Sequence, residues 1–128
     1  MADDALKIAQ NNKNIECKIF GEDYLKEKSM NAMLSVGIAS PHESKLIHLT
    51  YKTKNPIAKV VLVGKGVTYD TGGMSLKREG GMVSMKCDKA GGATILGVLE
   101  ALSTLNLPFE VHGIIGAVEN MIGGNAYK

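Results

Sequence analysis

Residues 59–63 read Lys-Val-Val-Leu-Val and run directly into Gly64-Lys65-Gly66. A short, continuously apolar run rich in β-branched residues is typical of a strand buried on both faces of a sheet. The sequence changes character at this point, because 13 of the 15 glycines follow Val63. Glycine is used where the backbone turns sharply or approaches another group closely. The pattern therefore predicts a buried strand that leads into a tightly folded, glycine-rich segment.

Helical and extended patterns alternate on both sides of this strand. The predicted helices are residues 3–12, 22–36 and 90–105, and the other predicted strands are residues 15–19, 46–51 and 109–115. Such alternation is typical of an α/β fold with a mainly parallel sheet. We therefore expect a three-layer α/β sandwich, and a length of 128 residues fits one domain.

The overall composition excludes several classes of protein. Apolar residues make up 45% and charged residues 22%, which is ordinary for a globular domain, and the net charge is only +2. We therefore expect no nucleic-acid partner and no anionic membrane surface as a partner. Two cysteines, an acidic N-terminus and no apolar run near the ~20 residues of a membrane span predict a cytoplasmic protein.

Charged residues follow the predicted strand where α/β proteins bind ligands. Because ligands of open α/β sheets bind beyond the carboxyl ends of strands, Lys65 and Asp70 are candidates for a site. Asp88 lies immediately before the predicted helix 90–105. Simpler roles also exist: Asp88 suits an N-cap, and Lys65 and Lys77 suit exposed loops.

Other known site patterns are missing from the sequence. Gly64-Lys65-Gly66 begins a dinucleotide-binding fingerprint, but position 69 is tyrosine instead of glycine. The P-loop order, the His-Glu-x-x-His pattern and the Gly-x-Ser-x-Gly elbow are absent, and the three histidines are scattered. A phosphate- or nucleotide-binding domain is therefore a weak alternative.

Three blocks of the sequence belong together: residues 64–77 (Gly-Lys-Gly-Val-Thr-Tyr-Asp-Thr-Gly-Gly-Met-Ser-Leu-Lys), 85–88 (Met-Lys-Cys-Asp) and 118–127 (Val-Glu-Asn-Met-Ile-Gly-Gly-Asn-Ala-Tyr). These blocks strongly resemble the leucyl aminopeptidase (cytosol aminopeptidase, M17) family. The resemblance covers nearly the whole chain and is most specific over residues 62–92. It implies a two-metal (Zn or Mn) peptidase that releases N-terminal amino acids such as leucine from peptides.

The resemblance also implies a role for five residues. Lys65 resembles the lysine whose amine coordinates one metal, Asp70 the carboxylate that bridges both metals, and Asp88 a further carboxylate on the lysine-bound metal. Lys77 resembles the catalytic lysine that polarises the scissile carbonyl, and Met85 a residue that lines the pocket for the first side chain of the substrate. The chemistry is consistent, because a divalent ion competes with the proton of a lysine and needs carboxylates to offset its charge.

The sequence departs from the family at two points. Lys89 follows Asp88 where the family usually has an apolar residue, and it adds positive charge near the expected metals. The family continues beyond the position of Lys128 into an Asn-Thr-Asp-Ala-Glu-Gly-Arg block with further site residues, and it has a separate N-terminal domain. We therefore expect residues 1–128 to be the first part of a catalytic domain, with at most one weakly held metal ion and little activity alone.

Two hypotheses follow from these observations. In the first, the chain is part of a metallo-aminopeptidase that acts on peptides and, like its family, forms homo-oligomers (hexamers). In the second, it is a non-catalytic folded fragment that acts as a binding or scaffold module. A partial sheet would leave an open edge and apolar surface, so we expect self-association or a partner chain there.

Overall fold

The computed structural model describes residues 1–126 and has a four-stranded mixed sheet with helices on both faces. Its helices are α1 (Ala2–Asn11), α2 (Glu22–Glu27), α3 (Asn31–Gly37), α4 (Glu79–Met82), the 3-10 helix Met85–Cys87 and α5 (Ala90–Leu102). Its strands are β1 (Ile15–Phe20), β2 (Lys45–Tyr51), β3 (Ala58–Asp70) and β4 (Phe109–Asn120). The α/β class predicted from the sequence is confirmed.

The strands lie in the order β1-β2-β4-β3. The pairs β1–β2 and β2–β4 are antiparallel, and only β3–β4 is parallel. The prediction of a mainly parallel sheet therefore holds only for this one pair, whose strands are joined through α5. The carboxyl-terminal ends of β3 and β4 consequently lie at the same edge of the sheet.

The helices form a layer on each face of the sheet. On one face α1 and α5 cover alternate residues of β2 and β4, and the core there includes the fully buried Ile47, Leu49 and Ile115. On the other face α3 packs against β4, where Met33 approaches Gly116. The layered arrangement agrees with the expected sandwich.

Strand β3 differs from its prediction in length and burial. It extends seven residues beyond Val63, to Asp70, and it is an edge strand. Val61 and Val63 are 55% and 76% exposed. The prediction that this strand is buried on both faces is wrong for residues 1–126, because no strand pairs with its outer edge and no helix covers Val61 and Val63 there.

Two helices also differ from their predictions. The stretch 22–36 forms two short helices instead of one, separated at Ser29, whose backbone is left-handed (φ 54°). Helix α5 ends at Leu102, three residues earlier than expected. Within residues 1–126, no helix is long and apolar enough to cross a membrane.

Candidate functional site

The start of α5 lies directly against β3 because glycines line the contact. A Cβ atom on Gly64 would lie 2.7 Å from the carbonyl oxygen of Gly91, and a Cβ atom on Gly91 would lie 3.2 Å from the backbone nitrogen of Lys65. Larger residues at these positions would push the helix away from the strand. The close approach brings Asp88, two residues before α5, next to Lys65.

Lys65 and Asp88 form an ion pair at the carboxyl-terminal half of β3. The Lys65 Nζ atom lies 2.8 Å from Oδ2 of Asp88. The Asp88 side chain is 21% exposed, and its Oδ2 atom is shielded from solvent, with this ammonium group as its partner and no well-aligned hydrogen bond. The interaction with Asp88 raises the pKa of Lys65, against a smaller opposing effect of burial.

Asp70 lies at the end of β3 and accepts hydrogen bonds from two sides. Its Oδ1 atom accepts from the backbone N–H of Gly72 at 2.9 Å and from Nδ2 of Asn120 at 2.7 Å, and its Oδ2 atom lies 3.3 Å from Nζ of Lys77. Burial favours the neutral acid, but these donors together outweigh it and lower the pKa of Asp70. Asp70 is therefore held as a carboxylate.

A tight turn after β3 positions Lys77. Gly72 and Gly73 have φ of 88° and 65°, a left-handed conformation that side chains disfavour. The turn returns the chain so that the Lys77 N–H donates to the carbonyl oxygen of Thr71 at 2.8 Å. A Cβ atom on Gly72 would lie 2.5 Å from the carbonyl oxygen of Ser75, so the turn requires glycine there.

The two ion pairs lie close enough to interact. The negative charge of Asp70 contributes to the raised pKa of Lys65, although Lys65 is paired with Asp88. The 3-10 helix that begins at Met85 packs against β3, and the Met85 side chain is half-buried. The structure therefore brings Lys65, Asp70, Lys77, Asp88 and Met85 to one end of β3.

Asp88 does not have the simpler role that its position suggested. The N-cap of α5 is Lys89, no side chain caps that helix, and Asp88 instead ends the 3-10 helix. The Lys89 ammonium group donates to the carbonyl oxygen of Lys86. The extra positive charge at position 89 is thus directed at backbone within its own turn.

Sequence reasoning missed the part played by Asn120. It lies in the third resembling block, whose last residue, Tyr127, falls outside the described residues. The parallel register aligns Asp70 with Asn120, which lets the amide reach the carboxylate. Only the pairing of β3 with β4 reveals this contact, so no signal in the sequence alone identifies it.

The donor atoms at this end of β3 are suited to a divalent metal ion. An amine nitrogen and two carboxylates are accepted by Zn²⁺, and carboxylates also suit Mn²⁺. Among residues 1–126, no group of three or more His, Cys, Asp or Glu side chains is placed to share an ion. Lys65, Asp70 and Asp88 lie in two neighbouring ion pairs, and their amine and carboxylate groups are donor types that such an ion accepts.

The sequence model of the cytosol aminopeptidase family, catalytic domain, matches residues 1–128. The chain belongs to the cytosol aminopeptidase family. The resemblance noted in the sequence is thereby confirmed.

Curated relatives match the chain along its whole length. It is 56% identical over 128 residues to a "Probable cytosol aminopeptidase" of Campylobacter jejuni, 52% identical to one of Wolinella succinogenes, and 43% identical over 129 aligned positions to one of Aquifex aeolicus. Each match covers 100% of this chain but 26% of the relative. The chain therefore spans about a quarter of the length of these relatives.

Proposed function

We propose that this chain forms the first part of the metal-dependent site of an aminopeptidase that releases N-terminal amino acids, such as leucine, from peptides. The observation that carries the proposal is the meeting of the Lys65–Asp88 and Lys77–Asp70 pairs at one end of β3. Membership of the cytosol aminopeptidase family supplies the reaction class. The family name and the relatives' names support a cytoplasmic location.

Lys65, Asp70 and Asp88 would hold a divalent ion, Zn²⁺ or Mn²⁺. When bound, such an ion supplies a Lewis acid that activates water at neutral pH and offsets the charge of the transition state. Lys65 would bind as a neutral amine and give up the proton that its pair with Asp88 now retains. Asp70 is already fixed in direction by Gly72 and Asn120, so little reorganisation of its carboxylate is needed.

Lys77 and Met85 would act on the substrate. The Lys77 ammonium group, when released from Asp70, can donate a hydrogen bond to the oxyanion that forms at the scissile carbonyl. Met85 offers a flexible apolar side chain to the first side chain of the peptide.

A graft tests whether the chain belongs to an aminopeptidase active site. Residues 1–128 of this chain replace the matching quarter of the Campylobacter jejuni relative, at 56% identity. We expect the chimera to hydrolyse a leucine anilide in the presence of Zn²⁺ or Mn²⁺, and Asp70→Ala in the graft to abolish the activity. The unmodified relative is the reference. A folded chimera without activity, beside an active reference, would refute the proposal.

A non-catalytic binding role is the alternative, and one observation favours it. The outer edge of β3 pairs with no other strand within residues 1–126, and Val61 and Val63 are exposed beside it. Open edges with apolar side chains promote association between chains. We propose that a second copy of the chain adds to this edge, which agrees with the homo-oligomer expected from the family.

A further inference from the structure

Two histidines that the proposed peptidase site does not use face each other in the middle of the sheet. His48 on β2 and His112 on β4 lie on the same face of neighbouring strands, and Thr50 is the register partner of His112. Nε2 of His48 lies 2.9 Å from Nδ1 of His112, and Oγ1 of Thr50 lies 3.3 Å from each of these nitrogens. Three donor atoms therefore form a small triangle.

The orientation of His112 is fixed from its other side. Its Nε2 atom lies 3.0 Å from Oε1 of Glu110, and the same carboxylate is held by Lys59 Nζ at 2.7 Å. A carboxylate beside one ring nitrogen fixes the proton there, so the opposite nitrogen, Nδ1, presents its lone pair. That lone pair is directed at His48 and Thr50.

His48 is also favoured in its neutral form. Burial lowers its pKa, and the nearby charges of His112 and Lys18 lower it further. The two ring nitrogens face each other at 2.9 Å, and a cation that accepts nitrogen ligands can displace the proton that lies between them.

The triangle has nearly the dimensions of one face of a zinc coordination tetrahedron. Two ligands at about 2.0–2.1 Å from a tetrahedral ion are roughly 3.3–3.4 Å apart. The distances from Thr50 Oγ1 to the two imidazole nitrogens already have this value, and the nitrogen–nitrogen distance is 2.9 Å. A small rotation of the two rings, which are tilted by 32°, would open the third edge.

We propose that His48 Nε2, His112 Nδ1 and the Thr50 hydroxyl form a second metal site, separate from the candidate peptidase site, for a divalent ion that prefers imidazole, namely Zn²⁺, Cu²⁺ or Ni²⁺. The Glu110 carboxylate, beside Nε2 of His112, fixes the orientation of that ring. The site differs from the one at the end of β3, because His112 is aligned with Val61 whereas Lys65 lies four residues further along the strand, about 13 Å away at 3.3 Å per residue. It does not depend on the proposed aminopeptidase function.

Copper binding gives the sharpest test, because electron paramagnetic resonance reports the nitrogens bound to Cu²⁺ directly. The chain, purified without a histidine tag, is titrated with Cu²⁺ and, by calorimetry, with Zn²⁺. We expect a saturable site whose Cu²⁺ spectrum shows hyperfine couplings from two imidazole nitrogens. His48→Gln or His112→Gln should remove one coupling and weaken binding at least tenfold, and Glu110→Gln should weaken it about tenfold.

Matched variants separate this site from the other candidates. His42→Gln removes the one remaining histidine, which is exposed in a loop, and should leave binding unchanged. Circular dichroism checks that each variant folds, and nitrogen-15 NMR of the unmodified chain follows His112 Nδ1 during the zinc titration in case a histidine variant does not fold. No saturable Cu²⁺ binding with imidazole couplings, or couplings that are lost in His42→Gln but retained in His48→Gln, would overturn the proposal.

Discussion

Gly64 on β3 and Gly91 on α5 are in backbone contact, with room for no side chain between them. A Cβ atom on Gly64 would lie 2.7 Å from the carbonyl oxygen of Gly91 and equally close to a side-chain carbon of Ile95. The residues next to this contact, Lys65 and Asp88, form the ion pair of the candidate site. The geometry of that pair therefore depends on the absence of a side chain at both Gly64 and Gly91.

Gly64→Ala should destabilise the chain. The added methyl group meets backbone that cannot rotate away, and overpacking of this kind costs about 1–3 kcal/mol of the free energy of unfolding. Gly97→Ala is the control, because a Cβ atom there meets nothing within 4 Å and alanine favours the interior of α5, with an expected gain of about 0.5–1 kcal/mol. Urea unfolding measures both, and equal stability of the two variants would contradict the prediction.

The carboxylate of Asp70 should stabilise the fold in a pH-dependent way. Its pKa is lower in the folded chain than the value of 3.8 of a free side chain, so its contribution is complete above about pH 4.5 and is lost as the pH falls through 3.8 towards the lower folded pKa. Asp70→Asn removes this contribution. With EDTA present, the free energy of unfolding of the unmodified chain should exceed that of Asp70→Asn at pH 6, and the difference should shrink below pH 4. A difference in the free energy of unfolding that grows as the pH falls would contradict this prediction.

The two cysteines should differ in reactivity. Cys87 is exposed, whereas Cys17 is half-buried against the core and burial raises the pKa of its thiol. Because the thiolate is the nucleophile, iodoacetamide at neutral pH should label Cys87 first. Mass spectrometry of peptides after timed labelling provides the measurement, and Cys87→Ser provides a chain whose labelling should be slow throughout. Faster labelling of Cys17 than of Cys87 would count against the fold near β1.

Self-association should depend on the outer edge of β3. Val63→Lys or Val61→Lys places a charge on an exposed valine beside the open edge, and edge lysines discourage strand pairing. We expect sedimentation velocity to show a shift of the chain from oligomer to monomer in either variant. Ile38→Lys is the matched control, since Ile38 is 84% exposed elsewhere on the surface. A monomeric unmodified chain at high concentration would remove the basis for the proposed association.

The 128-residue chain by itself should have little or no aminopeptidase activity. Within residues 1–126 no group of three or more His, Cys, Asp or Glu side chains is placed to share an ion, whereas two-metal hydrolysis uses both ions to activate water and polarise the carbonyl. Each ~1.4 kcal/mol of lost transition-state stabilisation is a factor of ten in rate. Hydrolysis of a leucine anilide with excess Zn²⁺ or Mn²⁺ is compared with Asp70→Ala. Turnover equal to that of a full-length relative, absent from Asp70→Ala, would mean that a second copy completes the site.

The parts of the fold with a clear period were predictable, whereas β3 was not. Alternation at Ile15, Cys17 and Ile19 gave β1 nearly to the residue. Beyond Val63, Gly64 and Gly66 suggest a loop, yet the chain stays extended because each glycine fits closely against α5 or β4. A sequence does not distinguish a glycine that close packing requires from a glycine that a turn requires. Only the helix or strand packed against the glycine reveals which role it has.

The candidate site was located by resemblance, but its contacts were not. The sequence identified Lys65, Asp70, Lys77, Asp88 and Met85, and all five lie at the same end of β3. Which lysine pairs with which aspartate depends on the approach of α5 to β3 and on the left-handed turn at Gly72. These are tertiary features without a local pattern, as is the facing pair His48–His112, whose members are 64 residues apart.

The hydrogen bond from Asn120 to Asp70 spans 50 residues of sequence and crosses between the ends of two parallel strands. A short turn cannot join parallel neighbours, so the contact between the amide and the carboxylate closes a long crossover that contains α5. During refolding, Asp70 should therefore acquire its final orientation only after the helix α5 has closed the crossover. The ability to bind a cation at this end of the sheet would then be among the last properties to appear during refolding. Its appearance would report that the native topology is complete.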